Sequence, residues 1–136
     1  MLKQLRENVW IGDKDAYKSI AKLKEIGIKS VIVVADDFFI RDTEPNNWLS
    51  PEVRLFKMGL RADHNNPQYI KDLICHTALQ MINNGETILI QSVTGLERAS
   101  FVACRVVCEL EGRTIYEIMQ EIKTEIPEFD FGKAYY

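Results

Sequence analysis

The sequence predicts an α/β fold, in which a central, mostly parallel sheet of four to five strands is flanked by helices. Apolar runs of strand length alternate along the chain with segments in which apolar residues follow helical spacing. The run at residues 28–35, IKSVIVVA, ends in a continuous β-branched stretch that is typical of a strand buried on both faces. Strands that alternate with helices favour parallel pairing through crossover connections.

The chain contains four predicted strands, four predicted helices and one long predicted loop. The predicted strands are residues 7–12, 28–35, 53–60 and 87–91. The predicted helices are residues 14–26, 67–84, 100–110 and 114–125. The segment 36–51 is polar and rich in turn-forming residues, so it is predicted to be a long loop. Its aromatic residues Phe38, Phe39 and Trp48 either line a binding surface or pack onto the core, and the sequence favours neither.

Capping signals set the predicted helix boundaries. Asp13 precedes the first helix as its N-cap, and Gly27 ends that helix. Asn66 is the predicted N-cap of the second helix, with a proline at the first helical position. Thr114 and Glu117 form the capping-box pattern at the start of the last helix.

Composition and charge exclude several functional classes. The chain has 136 residues, of which 46% are hydrophobic and 27% are charged, as expected for one globular domain. A net charge of -3 argues against a general nucleic-acid or anionic-membrane binder. No stretch approaches the roughly 18 apolar residues of a membrane span, and no apolar signal core is present at the start. We therefore expect a cytoplasmic (intracellular) location.

Cysteine usage predicts neither a disulfide framework nor a metal site. The chain contains three cysteines, too few for a disulfide scaffold. Cys104 and Cys108 lie four residues apart on one helical face, but no second pair or matching histidines accompany them. Core packing is therefore the favoured interpretation for both.

One segment combines the elements of an anion site. The apolar strand 87–91 is followed by the loop SVTGLER, Ser92 to Arg98, and then by a strongly apolar helix. Ligands of parallel α/β sheets bind where the carboxyl ends of strands meet, and this loop follows such an end. Backbone N–H groups of a tight loop and of a helix N-terminus attract phosphate. The sequence therefore predicts a phosphate-binding loop.

The loop matches the pattern Cys-x5-Arg with glycine at its fourth position, except that Ser92 stands where the pattern has cysteine. With this loop, the opening segment 7–34 and the segment GLRADHNNP at 59–67, the chain resembles the dual-specificity phosphatases. These belong to the cysteine-dependent protein tyrosine phosphatases. The resemblance spans nearly the whole chain and is weakest in the tail 128–136. It implies a protein tyrosine phosphatase-like fold and a single domain at 1–136.

The resemblance also implies roles for individual residues. The phosphate-binding residues would be Ser92, Val93, Thr94, Gly95, Leu96, Glu97 and Arg98. Arg98 would hold two phosphate oxygens with its planar guanidinium group. Position 92 is that of the nucleophile, and Asp63 would protonate the leaving alcohol and then activate water. The ligand would be a phosphorylated protein or another phosphomonoester, and neither a metal nor an organic cofactor is implied.

Three departures from the family pattern affect the chemistry. Ser92 replaces the cysteine, and a serine hydroxyl is a weak nucleophile unless a base removes its proton. Gln91 replaces a histidine that supports the thiolate in the family. Ala99 replaces a hydroxyl residue that helps the thiolate leave. Glu97 also adds an acidic group beside the site, although some lipid-directed members of the superfamily carry one there.

The sequence leaves three functions open. The main hypothesis is a pseudophosphatase that binds a phosphorylated ligand and hydrolyses it little or not at all. The alternative is an active phosphatase presented as a Cys-to-Ser variant at position 92, with Asp63 as acid and Arg98 as phosphate clamp. The third is an interaction scaffold with an empty loop, which would use the segment 36–51 to bind a partner. The oligomeric state cannot be predicted.

Overall fold

The computed structural model describes residues 1–35, 48–50, 52–61, 65–94 and 96–129. The strands are β1 (Leu2–Arg6), β2 (Val9–Gly12), β3 (Ile28–Ala35), β4 (Trp48–Ser50), β5 (Val53–Leu60) and β6 (Thr87–Gln91). The helices are α1 (Ile20–Ile26), α2 (Gln68–Asn83), α3 (Arg98–Glu111) and α4 (Ile115–Glu125), with a short 3-10 helix at Ala16–Lys18. Most of the predicted loop 36–51 lies outside the described residues.

The strands form one sheet in the order β1-β2-β6-β3-β5-β4. The inner pairs β2–β6, β6–β3 and β3–β5 are parallel, whereas β1 and β4 pair antiparallel at the two edges. The predicted α/β fold with a mostly parallel central sheet is confirmed. The two edge strands were not predicted, because edge strands contact only one neighbour and need no continuous apolar run.

Helices cover both faces of the sheet, and the side chains of β6 alternate between them. Ile88 and Ile90 belong to a core cluster with the inward residues of α2, α3 and α4. Leu89 belongs to a second cluster on the opposite face, which includes Leu23 of α1. All three β6 residues are fully buried, so β6 is the centre of the packed structure.

The predicted helix 14–26 is wrong in its extent. Residues 16–18 form a 3-10 helix, and the α-helix begins only at residue 20. Asp13 does not cap an α-helix, because its side chain accepts a hydrogen bond from the Asp15 N–H and its carbonyl accepts one from Ala16. Ala16 also packs tightly on Gly12, since a Cβ at position 12 would lie only 2.5 Å from the Ala16 Cβ. This close contact holds the chain in a turn.

The predicted N-cap of α4, Thr114, is confirmed, but the Glu117 carboxylate accepts a bond from the Thr114 hydroxyl at 3.1 Å rather than completing the box at the Thr114 N–H. The Thr114 side chain accepts a hydrogen bond from the Glu117 N–H at 3.2 Å. At the end of α3, Gly112 has a φ of 64°, a left-handed conformation that favours glycine. These two signals fix the short connection between α3 and α4.

A network of ion pairs joins β1, α3 and α4. Arg6 donates to Glu111 at 2.7 Å and to Glu121 at 2.5 Å. Arg113 donates to the same two carboxylates. The hydrogen bond from Arg113 is the main cause that holds the pKa of Glu121 below its ordinary value, and the bond from Arg6 does so for the pKa of Glu111. Two arginines and two glutamates thus form a closed ring.

The ring predicts an acid-dependent loss of stability. A carboxylate with a lowered folded-state pKa contributes stability above its unfolded pKa of about 4.3, and this stability is lost as pH falls through the folded value. Glu121→Gln should therefore lower the melting temperature at pH 7 by a few degrees. At pH 3 the difference between the two melting temperatures should be smaller, because the contribution of Glu121 declines once pH falls below its unfolded pKa and toward its lowered folded value.

Thermal unfolding at the two pH values checks this. Glu125→Gln is the control, since Glu125 is an exposed carboxylate on the same helix. Equal melting temperatures for the Glu121 variant and the parent at pH 7 would contradict a stabilising role for the ring.

Candidate functional site

The carboxyl ends of four parallel strands meet at one edge of the sheet. Gly12 of β2 and Val33 of β3 are both paired with Gln91, the last residue of β6. Leu60 ends β5 beside Ala35 of β3. The loop between β6 and α3 therefore emerges at the middle of this edge, as predicted. Asp63 and Gly95, which belong to the predicted site, lie outside the described residues.

Ser92 is anchored at the base of the loop. It is 1% exposed, and its N–H donates to the Gly12 carbonyl at 3.1 Å. Its hydroxyl oxygen accepts a hydrogen bond from the Ala99 N–H at 3.3 Å. Position 92 therefore faces the first turn of α3, where the helix dipole favours negative charge. This electrostatic setting stabilises a thiolate, whereas a hydroxyl stays protonated in it.

Arg98 is a buried cation at the first position of α3. It is 6% exposed, and its Nη1 donates to the Leu60 carbonyl at 2.8 Å. The bond links the start of α3 to the end of β5. It therefore holds the start of α3, where the predicted phosphate-binding loop ends, beside the strand that precedes Asp63 in the chain.

The loop carbonyls have partners outside the loop. The Val93 carbonyl accepts from the Lys14 N–H at 3.0 Å. The Ser100 hydroxyl lies 2.7 Å from the Leu96 carbonyl and 2.8 Å from the Glu97 carbonyl. In a planar trans peptide, the N–H points opposite to the carbonyl of the preceding residue. Because these carbonyls point to their hydrogen-bond partners, the N–H groups of residues 94, 97 and 98 point in the opposite direction, away from those partners.

Glu97 is the N-cap residue of α3, and its side chain makes no capping hydrogen bond. It is partly buried. Within the part of the chain that the structure describes, its carboxylate forms no ion pair. The acidic group therefore adds negative charge next to the predicted phosphate-binding loop.

Gln91 is fully buried directly before the loop. Neither its Nε2 nor its Oε1 has a hydrogen-bond partner among the described residues. The amide thus does not support the Ser92 hydroxyl in the way that the resemblance assigns to a histidine. A buried amide without a partner costs free energy, and among the described residues this one makes no hydrogen bond that would activate Ser92.

The predicted capping role of Asn66 is wrong. Helix α2 begins at Gln68 with Pro67 as its N-cap, and no side chain caps it. Asn66 instead accepts a hydrogen bond from the Arg61 N–H at 2.7 Å and donates to the Arg61 carbonyl at 3.0 Å. This pair of bonds ties the approach to α2 to the end of β5. The residue types Asn and Asp commonly bond to nearby backbone, so the sequence is compatible with either role.

No described thiol substitutes for the missing nucleophile. Burial raises the pKa of the Cys75 thiol to about 11 and that of the Cys104 thiol to about 12. Core packing is confirmed for Cys104, which is fully buried, whereas Cys108 is only partly buried. Among the described residues, no group of histidine, cysteine or acidic side chains could hold a metal ion. No helix in the described ranges has the length and apolar character needed to cross a bilayer.

Ser92, Arg98 and the described loop residues between them lie together at one edge of the sheet, where the sequence predicted them. The bonds of Ser100 to the loop carbonyls and the buried position of Lys71 were not predicted. A signal for Lys71 was present, because this lysine interrupts the apolar face of the helix at residues 67–84. Ser100 gave no signal, since a serine near a helix start has many possible partners.

Sequence comparisons identify no relative. No protein-family model matches the sequence, and no curated protein sequence matches it.

Solved structures match the fold closely. Human DUSP28 aligns with a TM-score of 0.81 at 14% identity, over 98% of this chain and 86% of that chain. Tk-PTP in its active form aligns with a TM-score of 0.79 at 14% identity, over 98% and 90%. A human tyrosine phosphatase-like serine/threonine/tyrosine-interacting protein aligns at 0.81 with 10% identity, over 98% and 89%. The chain therefore has the fold of the dual-specificity and protein tyrosine phosphatases.

The Asn66 bonds predict a measurable contribution to stability. Asn66→Ala removes both bonds to Arg61 and should lower the free energy of unfolding by about 1 kcal/mol. Asn66→Asp keeps an acceptor for the Arg61 N–H and should cost less. Urea unfolding measures both, with Asn83→Ala as control, because Asn83 is exposed at the other end of α2. A loss for Asn66→Ala no larger than that of the control would contradict the assignment.

Proposed function

We propose that the protein binds a phosphorylated ligand, a phosphoprotein or another phosphomonoester, in the loop Ser92–Arg98 and hydrolyses it little or not at all. One observation carries the proposal. In a chain with a phosphatase fold, the buried Arg98 and the Ser92 hydroxyl both lie at the N-terminus of α3. The cation and the helix dipole favour an anion there, whereas the hydroxyl does not supply the nucleophile.

Three contributions would hold the phosphate. The N–H groups turned away from the anchored carbonyls of Val93, Leu96 and Glu97 can donate to its oxygens. The α3 dipole contributes roughly half a positive charge at the helix start. The Arg98 guanidinium carries five N–H groups in a planar fork, and its bond to the Leu60 carbonyl fixes the orientation of that fork.

Hydrolysis would stop at its first step. In the proposed phosphatase reaction, the group at position 92 attacks phosphorus and forms a covalent intermediate while Asp63 protonates the leaving alcohol. The Ser92 hydroxyl must first lose its proton to a base. The Ala99 N–H, which bonds to the hydroxyl oxygen, is a donor and cannot accept that proton. Asp63 as general acid is therefore of little use without an activated nucleophile.

The second candidate is an active phosphatase presented as a Cys-to-Ser variant at position 92. The position itself supports it, because a cysteine there would face the helix dipole and form a thiolate readily. Two features count against it, the Gln91 amide, which lacks a hydrogen-bond partner among the described residues, and the alanine at position 99. Both positions differ from the family pattern, and neither difference would arise from replacing the cysteine alone.

The third candidate is an interaction scaffold with an empty loop. One observation supports it, because a solved structure of this fold is named as a tyrosine phosphatase-like interacting protein. The burial of Arg98 favours the phosphate-binding proposal over this one. A guanidinium held at the first turn of a helix presents donors and positive charge to an anion, together with the helix dipole.

Phosphate binding tests the proposal. Isothermal titration with phenyl phosphate should detect binding by the parent protein. Arg98→Lys should bind about tenfold more weakly, because lysine keeps the charge but loses the planar fork. Arg98→Met should lose more, since both charge and donors are removed.

Circular dichroism of each Arg98 variant verifies that it is folded, because Arg98 also bonds to Leu60. The control is Arg105→Lys, a change of the same kind about two turns further along α3, and it should leave affinity nearly unchanged. A parent protein that binds no phenyl phosphate would overturn the proposal in favour of the scaffold.

A further inference from the structure

Glu97 carries a carboxylate that forms no ion pair within the part of the chain that the structure describes. It is the N-cap residue of α3, but its side chain makes no capping hydrogen bond. It is partly buried, so solvent screens its charge less than that of a fully exposed carboxylate. A negative charge beside the proposed phosphate site lowers the affinity for a simple phosphate ester. Glu97 therefore bears on which ligand the site takes.

Glu97 belongs to the loop itself. The Ser100 hydroxyl lies 2.7 Å from the Leu96 carbonyl and 2.8 Å from the Glu97 carbonyl. Because the Leu96 carbonyl points to Ser100, the Glu97 N–H points away from it, and this N–H is one of the proposed donors to the phosphate. The carboxylate of such a residue lies within a Debye length of the phosphate, about 8 Å at physiological ionic strength. It therefore acts on the ligand electrostatically even without contact.

Arg98 does not neutralise Glu97. Among the described residues no ion pair joins the two side chains, and the Arg98 Nη1 donates to the Leu60 carbonyl. A bound phosphomonoester carries about -1.5 to -2 charges at neutral pH, whereas Arg98 and the α3 dipole together supply about 1.5 positive charges. With the Glu97 carboxylate included, roughly one negative charge remains without compensation.

The turn beside the loop does not balance that charge. The Lys14 N–H donates to the Val93 carbonyl, which holds this turn next to the loop. Lys14 stands between Asp13 and Asp15 in the sequence, and the Lys18 ammonium group pairs with Asp15 at 2.7 Å. The two lysines and the two aspartates of this turn cancel one another. The compensating positive charge is therefore left to the ligand.

We infer that the site selects phosphomonoesters that carry a cationic group next to the phosphate, and that Glu97 is the residue that selects them. The inference rests on the proposed function. The loop N–H groups and Arg98 hold the phosphate, and the Glu97 carboxylate attracts the ammonium or guanidinium group of the same ligand. Glu97 thus disfavours a simple phosphate ester and favours a zwitterionic one. Phosphopeptides with a basic residue beside the phosphorylated one have this chemistry, and so do small aminoalkyl phosphates.

A matched pair of phosphopeptides tests the inference. One is a short phosphotyrosine peptide with lysine on both sides of the phosphotyrosine, and the other has glutamine at both places. Isothermal titration at one ionic strength should show that the parent binds the lysine peptide about fivefold more tightly. In Glu97→Gln this ratio should fall below about twofold, and the affinity for phenyl phosphate should rise by about two- to fivefold, because the repulsion is removed.

Glu109→Gln is the matched control. It removes the same charge from an exposed position of the same helix, about 18 Å further along the axis, and it should leave the peptide ratio as in the parent. Glu97→Ala is the second variant and should lose the preference as Glu97→Gln does. Since the Glu97 side chain makes no capping bond, Glu97→Gln should also keep the melting temperature of the parent.

A second pair of probes distinguishes the two sources of the ligand. O-phosphoethanolamine carries an ammonium group, and its N-acetyl derivative does not. The parent should prefer the first, and Glu97→Gln should not. If the lysine peptide binds more tightly than O-phosphoethanolamine, the ligand is a basic phosphopeptide, and the reverse order indicates a small aminoalkyl phosphate.

The outcomes separate this inference from the proposed function. If the parent binds phenyl phosphate but binds both peptides equally, or if Glu97→Gln keeps the full preference for lysine, the inference is wrong and the proposed function stands. A preference that Glu109→Gln loses to the same extent also overturns it, since the effect then belongs to the net charge of the protein. If the parent binds neither phenyl phosphate nor either peptide, the proposed function itself fails.

Discussion

The parallel pairing of β6 with β2 on one side and β3 on the other is the constraint on which the rest of the structure depends. It buries Ile88, Leu89 and Ile90 completely and distributes them between the two helical layers. Because β6 is central, its carboxyl end lies between those of its neighbours. The loop that follows is consequently held on both sides, by Gly12 and Lys14 on the β2 side and by α3 above. A loop at an edge strand would have no such support.

This support fixes the two ends of the loop, at Ser92 and at Arg98. Ser92 and Arg98 are buried, so charges beside them interact more strongly than they would in water. Arg98 brings positive charge, whereas Glu97 brings negative charge to the same edge. The balance between them matters more for affinity than the net charge of the chain, which is -3. An acidic protein can therefore still bind a phosphate at one site.

Much of this could be predicted from the sequence, for identifiable reasons. The β-branched run at 28–35 and the helix-capping pair Thr114 and Glu117 act locally, so the sequence alone indicates β3 and the start of α4. The loop Ser92–Arg98 was predictable because its strand, glycine, arginine and helix are contiguous. The split of the first helix was not, because it depends on the contact between Gly12 and Ala16.

The cases that failed depend on contacts between segments distant in sequence or on a choice between local partners. Asn66 has the residue type of a helix cap, yet it bonds to Arg61, five residues earlier. The anchoring of Arg98 by the carbonyl of Leu60 has no sequence signal, because any residue supplies a carbonyl. Capping patterns therefore indicate that a polar side chain bonds to backbone, but not always to which group.

Hydrolysis of p-nitrophenyl phosphate by the parent protein and by Ser92→Cys, measured side by side, is the decisive comparison. If the phosphate cradle is intact and only the nucleophile is missing, the parent should show almost no turnover and the cysteine variant should show clear, Arg98-dependent turnover. If neither protein hydrolyses the substrate while both bind phenyl phosphate, then the nucleophile is not the only group that the site lacks. Gln91 and Ala99 would then also prevent catalysis, and an otherwise intact catalytic loop is ruled out. Efficient turnover by the parent would contradict the central claim that the Ser92 hydroxyl is not an activated nucleophile.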